Sequence, residues 1–390
     1  MTTRRWAVIT GEYPPQRGGV ADHCGILASL LASRGDHVDV WAPASAGRPP
    51  CETTGIMVHD LPERYSVANL GILRRQLAAL SEDTIILLHY VPQMFGWRGM
   101  NVAFCWLMAQ RRPAKLWTMF HELYMPFGWR VPLRHQLLGL VQRLMVMLLL
   151  RSSFKVLVTI PRWGRLLQRW TPRTLRPVLA PIPSNILPGV PQDPQVLAVL
   201  GSLRAWLDFG PGSPIVGHFG SFGDAISKFL SLSIPLVLAS PPYPAMLLIG
   251  YGATDFAATI KPRLAPEHAA RVYSIDAAPG ADIAALIGLC QVMMQPYPDG
   301  VTTRRSTMMA CLSLNRAVVT NLGPLSDPLW AESRATRLVP PHAPLAMARA
   351  VSQLLLDGKA CSDLGKRGLD LYQSRFSWDH LIDVYSELAS

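Results

Sequence analysis

Apolar runs alternate with helix-like patterns along the first half of the chain. In the stretch 20–34, Cys24, Leu27 and Leu31 recur at helical spacing, whereas Asp22 lies elsewhere on the helical wheel. The pattern predicts strands at 6–10, 37–41, 56–60, 84–89, 115–120, 155–159 and 177–182, and helices at 20–34, 66–80, 98–111, 131–151 and 161–170. Such alternation is typical of a mainly parallel sheet with helices on both faces.

The alternation stops between Pro181 and Pro214, where Pro, Gly, Ser and Asp are dense and only 196–206 is apolar. We interpret this stretch as a linker between two domains. Beyond it the pattern predicts strands at 214–219, 235–239, 245–249, 271–275, 291–295 and 316–320, and helices at 224–231, 280–289, 304–314, 343–356 and 358–373. The last segment, 376–390, carries a single apolar stripe that needs a surface to pack against.

Composition and charge narrow the class of protein. The 390 residues are enough for two domains, and a chain with 49% hydrophobic and 16% charged residues is not disordered. The net charge of +11 favours anionic partners, although scattered arginines on a solvated surface are the alternative. No dense basic run with interleaved aromatics is present, so we expect no nucleic-acid binding.

Cysteine usage and the first residues predict a cytoplasmic protein. The six cysteines are dispersed without CxxC pairing, which is typical of reduced core thiols. The chain enters its first strand too early for a secretory signal segment. The stretch 131–155 mixes Leu and Met with basic residues. It is either a domain helix with snorkelling arginines or a contact with an anionic membrane, which would make the protein peripheral at the inner membrane face.

Short motifs in both halves together resemble those of family 4 glycosyltransferases. The motifs are Tyr13-Pro14-Pro15 with Gly18-Gly19-Val20-Ala21, Phe120-His121-Glu122, Pro298-Asp299-Gly300-Val301 with Arg304-Arg305, Ala317-Val318-Val319-Thr320, and Phe376-Ser377-Trp378-Asp379. The resemblance implies an α/β protein of the GT-B fold, with two Rossmann-like domains facing across a cleft. It also implies an N-terminal acceptor-side domain (1–188), a linker (189–213), a nucleotide-sugar-binding domain (214–373) and a C-terminal helix (374–390) that crosses back to the first domain.

Two motifs of the first half are candidates for the site. Gly18 and Gly19 before a helix allow positive φ and close approach of the backbone to a phosphate, although an ordinary tight turn is the alternative. The resemblance implies donor contacts by these glycines. Arg17 and Asp22 are candidates for the acceptor side because they lie near the glycines in the sequence. His121 ends a strand where open α/β sheets bind ligands, although a structural histidine is the alternative. The resemblance implies that His121 contacts the donor sugar as a catalytic residue. The adjacent Glu122 is a candidate for the acceptor side, and His89, at the end of another predicted strand, is a weaker candidate.

The second half has a glycine-rich loop after its first strand. The loop resembles a phosphate turn but matches neither GxGxxG nor a P-loop. The resemblance implies donor contacts by Gly220, Ser221, Phe222 and Gly223. It also implies a catalytic role for Lys228 in neutralising the diphosphate, although the arginine that usually accompanies this lysine is missing. A solvated helix lysine is the alternative.

The sharpest polar cluster lies between the strand 291–295 and the helix 304–314. Arg304 and Arg305 at a helix start oppose the helix dipole unless an anion is present. A diphosphate removes this conflict through bidentate guanidinium contacts, whereas a surface pair satisfied by Asp299 or solvent is the alternative. We predict the donor diphosphate here, with Arg304 in a catalytic role and donor contacts from Asp299, Gly300, Val301, Thr302, Arg305 and Ser306.

The resemblance also implies the reaction. Family members are retaining enzymes, so it implies transfer of a sugar from a nucleoside diphosphate donor to a glycan, lipid-linked or small-molecule acceptor, as in polysaccharide biosynthesis, without metal or cofactor. Many relatives carry two glutamates in the region of the arginine pair, where Thr302 and Ala310 stand in this chain. A catalytically silent sugar-nucleotide-binding relative is therefore the second hypothesis. A phosphorylase or epimerase is the third, and would need a cofactor lysine or an acidic pair.

Overall fold

The structure is a computed structural model, which describes residues 3–16, 18–47, 54–110, 115–129, 131–172, 174–208, 214–276 and 278–390. The chain divides into two compact units. The first unit contains Met1–Pro181 together with Leu381–Ser390, and the second contains Ile182–His380.

The first unit is built on a parallel sheet with the strand order β3-β2-β1-β4-β5-β6-β7. Its strands are β1 Arg5–Ile9, β2 His37–Pro43, β3 Ile56–Leu61, β4 Ile85–Tyr90, β5 Lys115–Phe120, β6 Lys155–Val158 and β7 Val178–Leu179. Its helices up to Pro181 are α1 Gly19–Ser33, α2 Val67–Ala78, α3 Val102–Ala109, α4 Leu133–Ser152 and α5 Pro161–Leu167. Every residue of β4 is buried, as expected for a central parallel strand covered by helices on both faces.

The second unit is also built on a parallel sheet, with the order β10-β9-β8-β11-β12-β13. Its strands are β8 Ile215–Phe219, β9 Ala245–Ile249, β10 Val272–Ile275, β11 Val292–Gln295, β12 Ala317–Asn321 and β13 Arg337–Val339. Its helices are α6 Pro194–Asp208, α7 Asp224–Leu238, α8 Ala253–Ile260, α9 Pro266–Ala269, α10 Gly280–Leu289, α11 Ser306–Ser313, α12 Pro328–Glu332, α13 Pro344–Leu356 and α14 Gly358–Arg375. The sequence predicted neither α8 nor β13.

The last helix, α15 (Trp378–Ala389), begins in the second unit and ends in the first. Its predicted apolar stripe is confirmed, because Leu381, Ile382 and Tyr385 are buried. The Tyr385 ring packs 6.0 Å from the ring of Trp6 and 6.2 Å from that of Trp117, measured between centroids. The chain therefore returns to the first unit after completing the second.

The stretch 189–213, expected as a linker, contains helix α6. Val196, Leu200 and Leu203 of this helix are buried in the core of the second unit. The Asp282 carboxylate accepts hydrogen bonds from the backbone N–H groups of residues 192 and 193, at 2.6 and 3.1 Å. The helix was hidden in the sequence by its Pro- and Asp-rich flanks, and the division between the units falls earlier, after Pro181.

The predicted strand 235–239 is wrong, because helix α7 runs through to Leu238 with Pro235 inside it. The apolar run around Pro235 has the composition of a buried strand. However, Leu230, Ile234 and Val237 are buried at helical spacing, so packing outweighs the missing N–H of the proline. The predicted helix 98–111 is shorter than expected, since two 3₁₀ turns (Pro92–Phe95 and Trp97–Gly99) precede α3.

The core thiols lie where the sequence predicted them. Cys24, Cys105, Cys290 and Cys311 are free and buried, and burial raises the pKa of Cys24 to about 12. These side chains are therefore neutral packing residues at physiological pH. Cys51 lies outside the described residues.

Candidate functional site

The strand order reverses direction at one place in each sheet, between β1 and β4 in the first unit and between β8 and β11 in the second. Open α/β sheets bind ligands outside the carboxyl ends of their strands at such a switch point. The Gly18 motif follows strand β1, and His89 lies at the end of strand β4. The loops 220–223 and 299–305 follow β8 and β11. Each unit therefore brings its own motifs to its own switch point.

In the first unit, the glycine pair lies at the start of α1. Gly18 is the N-cap residue, with extended backbone at φ 171°, and Gly19 is the first helical residue. The expectation of positive φ at these glycines is therefore wrong. Gly18 lies directly beside Glu12, because a Cβ built at position 18 would meet the Glu12 carboxylate, which would have to move aside. Arg17, predicted on the acceptor side, lies outside the described residues.

Glu12 is a candidate that the sequence reasoning missed. It lies three residues after β1, and the Thr10 hydroxyl donates a 2.8 Å hydrogen bond to its backbone carbonyl. Burial is the main cause that raises the pKa of Glu12, the Arg64 charge opposes this effect, and Asp22 adds to it. Glu12 thus brings a carboxylate to the glycine loop within electrostatic range of Asp22. The sequence feature that could have identified Glu12 is its position, because it is a carboxylate shortly after the end of strand β1.

Three histidines form a buried cluster at the same switch point. His89 Nδ1 and His121 Nε2 lie 3.0 Å apart and share a hydrogen bond whose donor depends on the tautomers. The ring of His23 lies 5.3 Å from that of His89 and 5.8 Å from that of His121, between centroids. His23 was missed by the sequence reasoning, although it precedes Leu27 by four residues on the buried face of α1.

Two of the three histidines, His23 and His89, are held neutral by burial. Burial is the main cause that lowers the pKa values of His23 and His89 well below the usual range, and the neighbouring His121 lowers them further. The His23 and His89 rings are therefore neutral imidazoles at physiological pH and not cations. The adjoining Glu122 is exposed. Among the described residues, no group of three or more His, Cys, Asp or Glu side chains is arranged to hold a metal ion.

In the second unit, the glycine loop is held against the loop that follows β9. Gly220 N–H donates to the Ile249 carbonyl at 3.0 Å, and a Cβ at Gly250 would collide with the Gly220 carbonyl oxygen. Gly223 caps the N-terminus of α7, and Ser221 and Lys228 are exposed. Lys228 lines a shallow groove together with Phe222, Asp255 and Arg263. The loop is therefore held in place, and Lys228 on the following helix α7 is accessible to a ligand.

The turn after β11 requires glycine at position 300. Gly300 has φ +93°, and a Cβ there would collide with the Ser326 hydroxyl and stand 2.6 Å from the Gly323 nitrogen. Val301 and Thr302 are completely buried, whereas Asp299 is exposed. Val301 can therefore offer a ligand only its backbone, because its side chain belongs to the core.

The paired arginines stand at the start of α11. Arg305 is the N-cap residue, and its guanidinium carbon lies 5.0 Å from the centre of the Tyr297 ring. Within the described part of the chain, its buried Nε has no hydrogen-bond partner. Arg304 and Ser306 flank it and are half-buried. A cationic side chain at a helix N-terminus, with an unsatisfied buried donor, is an arrangement suited to an anion.

The two loops of the second unit meet. The Thr307 methyl group in the first turn of α11 lies 3.9 Å from the position of a Cβ built on Gly220. The same built atom would lie 3.6 Å from His218 Nε2. His218, which the sequence reasoning did not single out, donates from Nδ1 to the Met294 carbonyl at 2.9 Å, and burial lowers its pKa to about 4. The glycine loop therefore lies against the first turn of the helix that follows the paired arginines.

Solved structures similar to the whole chain support this architecture. Sucrose-phosphate synthase of Thermosynechococcus elongatus superposes with a TM-score of 0.72 at 18% identity, covering 99% of this chain and 98% of that one. A glycosyltransferase of Rickettsia africae gives 0.70 at 13% identity, with coverage of 100% and 98%. Anabaena HepE, solved with UDP and glucose, gives 0.65 at 14% identity, with 98% coverage of both chains. No protein-family model and no curated protein matches the chain.

The comparisons therefore extend over both units, although identities below a fifth carry information on the fold alone. The neighbours are GT-B glycosyltransferases, and each unit of this chain has the parallel sheet and flanking helices of that architecture. The chain accordingly has the α/β fold of the GT-B glycosyltransferases.

Proposed function

We propose that this protein is a glycosyltransferase that takes a sugar from a nucleoside diphosphate donor bound by the second unit. The observation that carries the proposal is the position of Arg304 and Arg305. They stand at the start of α11, at the switch point of the second sheet and next to the Gly220 loop. A GT-B neighbour solved with UDP and glucose supports UDP-glucose as the first donor to test.

The donor diphosphate would be held by charge and by backbone donors. Arg305 and Arg304 supply guanidinium groups, and the free N–H groups in the first turn of α11 add the positive helix end. The loop 220–223 supplies a second helix N-terminus, with the exposed Lys228 in the following turn. Such preorganised positive groups stabilise the charge that develops on a departing diphosphate.

The first unit would contribute His121 and the acceptor-side groups. His121 lies at the end of β5 next to His89, and the resemblance to family 4 implies that it contacts the donor sugar. Asp22 and Glu122 remain the proposed acceptor-side residues, and Glu12 joins them because its half-buried carboxylate lies beside Gly18. The acceptor class stays open among glycans, lipid-linked sugars and small molecules.

We further propose the retaining, metal-independent chemistry that family 4 membership would imply. The acceptor hydroxyl attacks the anomeric carbon on the face that the diphosphate leaves, and the leaving phosphate accepts the hydroxyl proton. This route needs no protein nucleophile, and its main demand is stabilisation of the leaving group by Arg304, Arg305 and Lys228. The proposed setting is the cytoplasm, in polysaccharide biosynthesis.

Calorimetry tests the donor site directly. Wild-type protein and the variants Arg304→Ala, Arg305→Ala and Arg349→Ala are titrated with UDP, GDP and dTDP. Loss of a charged hydrogen-bond partner should weaken binding of the preferred nucleotide by about tenfold or more in the first two variants. Arg349 is an exposed arginine on α13 and serves as the matched control. Equal affinities in all four proteins would reject the placement of the diphosphate.

A catalytically silent sugar-nucleotide-binding protein is the second candidate function. The observation that favours it is that Thr302 and Ala310, which have no carboxylate, stand where many relatives have glutamates, and both are buried. Donor hydrolysis and transfer assays with UDP-, GDP- and dTDP-sugars separate the two candidates. Tight binding without turnover of any donor would favour the silent protein, and NMR of a transferred product would test retention.

A further inference from the structure

Helix α4 of the first unit is apolar on two opposite faces. On one face Gly139, Met145, Val146 and Leu149 are buried, and Gln142 fixes the helix by accepting from Met125 N–H at 2.8 Å and donating to the Gly99 carbonyl at 3.2 Å. Packing against the core explains why the inner face of α4 is apolar, but it does not explain the second apolar stripe on the outer face. The outer stripe needs a separate explanation.

The outer stripe consists of exposed leucines. Leu133 is 82% exposed, Leu137 59%, Leu140 58% and Leu144 44%, and their spacing of four, three and four residues aligns them along one side of the helix. Trp129, just before the helix, is fully exposed. We call Trp129 with these four leucines the outer α4 face. Contiguous exposed apolar side chains of this kind mark an interaction surface.

The part of the first unit that carries the outer α4 face is strongly basic. From Thr84 to Pro181 the chain has 14 of its 37 Lys and Arg residues and one of its 26 Asp and Glu residues, Glu122. The remaining residues carry 23 basic and 25 acidic side chains, so the whole excess of positive charge lies in this part of the first unit. On α4 itself, exposed Arg134 borders the stripe and exposed Arg151 continues it two turns beyond Leu144.

We infer that the outer α4 face attaches the first unit to an anionic lipid bilayer. Leucines and a tryptophan on one side of a helix, bordered by arginines, match the interfacial region of a membrane with negatively charged headgroups. A second copy of the chain fits less well, since a symmetric contact would bring two acid-poor basic surfaces together. Helix α4 is long and apolar enough to cross a membrane. However, its inner face is buried in the first unit, so in the proposed complex the helix lies along the membrane surface and does not span the bilayer.

Vesicle sedimentation tests this inference without reference to enzyme activity. The full chain is mixed with phosphatidylcholine vesicles that contain or lack phosphatidylglycerol, at salt concentrations of about 0.1 M and about 1 M, between which the Debye length falls from ~10 to ~3 Å. We expect binding to the anionic vesicles at low salt and strong weakening at high salt. Equal binding to both vesicle types, or no binding to either, would overturn the inference.

Matched variants locate the contact. Leu137→Gln with Leu140→Gln should weaken vesicle binding at least about tenfold, because less apolar surface enters the interface. Arg134→Gln with Arg151→Gln should weaken it about thirtyfold. The controls in the second unit are Leu232→Gln with Leu345→Gln, and Arg349→Gln with Arg375→Gln, all at exposed positions. Equal losses in the control and test variants would refute the outer α4 face as the site.

Sedimentation equilibrium separates the membrane from a second copy. A wild-type dimer that becomes monomeric in the Leu137→Gln, Leu140→Gln variant, with no vesicle binding, would assign the face to self-association. Circular dichroism melts check that the leucine variants fold. If they do not, the arginine variants and the salt dependence of wild type still decide the question. Because no sugar nucleotide is present, failure here leaves the donor-site calorimetry unaffected.

Discussion

His89 Nδ1 and His121 Nε2 lie 3.0 Å apart, at the carboxyl ends of adjacent strands β4 and β5. One nitrogen donates its proton to the other, and this hydrogen bond fixes the orientation of the His121 ring. His89 is therefore a positioning residue for the histidine to which the resemblance assigns the donor sugar. The third ring, His23, completes the buried cluster, in which His121 is the most exposed at 7%.

The histidine cluster should make the fold sensitive to acid. His23 and His89 have folded-state pKa values well below their unfolded value of about 6.5, so stability is complete above that pH and falls as the pH drops. Each group should cost up to about 1.4 kcal/mol per pH unit below this value. Melting temperatures at about pH 7.5 and about pH 5.5 measure the loss. His23→Leu should reduce the difference, whereas His268→Leu in the second unit should not.

Gly300→Ala should destabilise the second unit and weaken nucleotide binding. The substitution forces a side chain into φ +93° and into the Ser326 hydroxyl and Gly323 backbone, so we expect a loss of ~2 kcal/mol or more. Gly288→Ala is the control, because Gly288 is helical and a Cβ there meets nothing within 4 Å. It should stabilise by about 0.5–1 kcal/mol. Urea unfolding measures both changes, and equal signs would contradict the expectation.

Tyr385→Ala should destabilise the first unit, although the residue lies near the far end of the chain. Its ring is buried against Trp6 and Trp117, so the cavity should cost about 3–5 kcal/mol. Glu387→Ala on the exposed side of α15 should change stability by less than about 0.5 kcal/mol. Chemical denaturation followed by tryptophan fluorescence compares the two. A loss of the same size in both variants would show that α15 acts only through its helicity.

Asp282→Ala should loosen the chain that leads into α6. The carboxylate accepts two backbone hydrogen bonds from residues 192 and 193, and its loss should cost about 2 kcal/mol. Limited proteolysis should then cut faster near Gln192. Asp370→Ala, an exposed substitution on α14, is the control. Unchanged cleavage in the Asp282 variant would mean that helix packing alone holds this stretch.

The alternation of strands and helices was readable from the sequence because buried parallel strands and amphipathic helices have different periods. Helix α6 was missed because the Pro- and Asp-rich residues around Val196 are the same ones that mark linkers. The strand predicted at 235–239 failed because the buried side of α7 is so apolar that its helical period is masked around Pro235. In both places tertiary packing decided the structure, and local composition did not.

Within the site, residues at strand ends and helix starts were predictable, whereas their partners were not. Arg304 and Arg305 follow from the helix start that the sequence shows, and Gly300 follows from the turn. His23 was missed because it becomes notable only through His89 and His121, which are distant in sequence. Glu12 was missed because its proximity to Gly18 and Asp22 depends on how the loop between them folds. No spacing rule reports such contacts.

The return of α15 to the first unit has a consequence for the order in which the protein matures. During synthesis the second unit can close as soon as its own residues have left the ribosome, since α15 contributes only its first turn there. The first unit, whose opening strand is made earliest, must wait for Tyr385 to cover Trp6 and Trp117. The unit that starts to form first is thus the last to be finished.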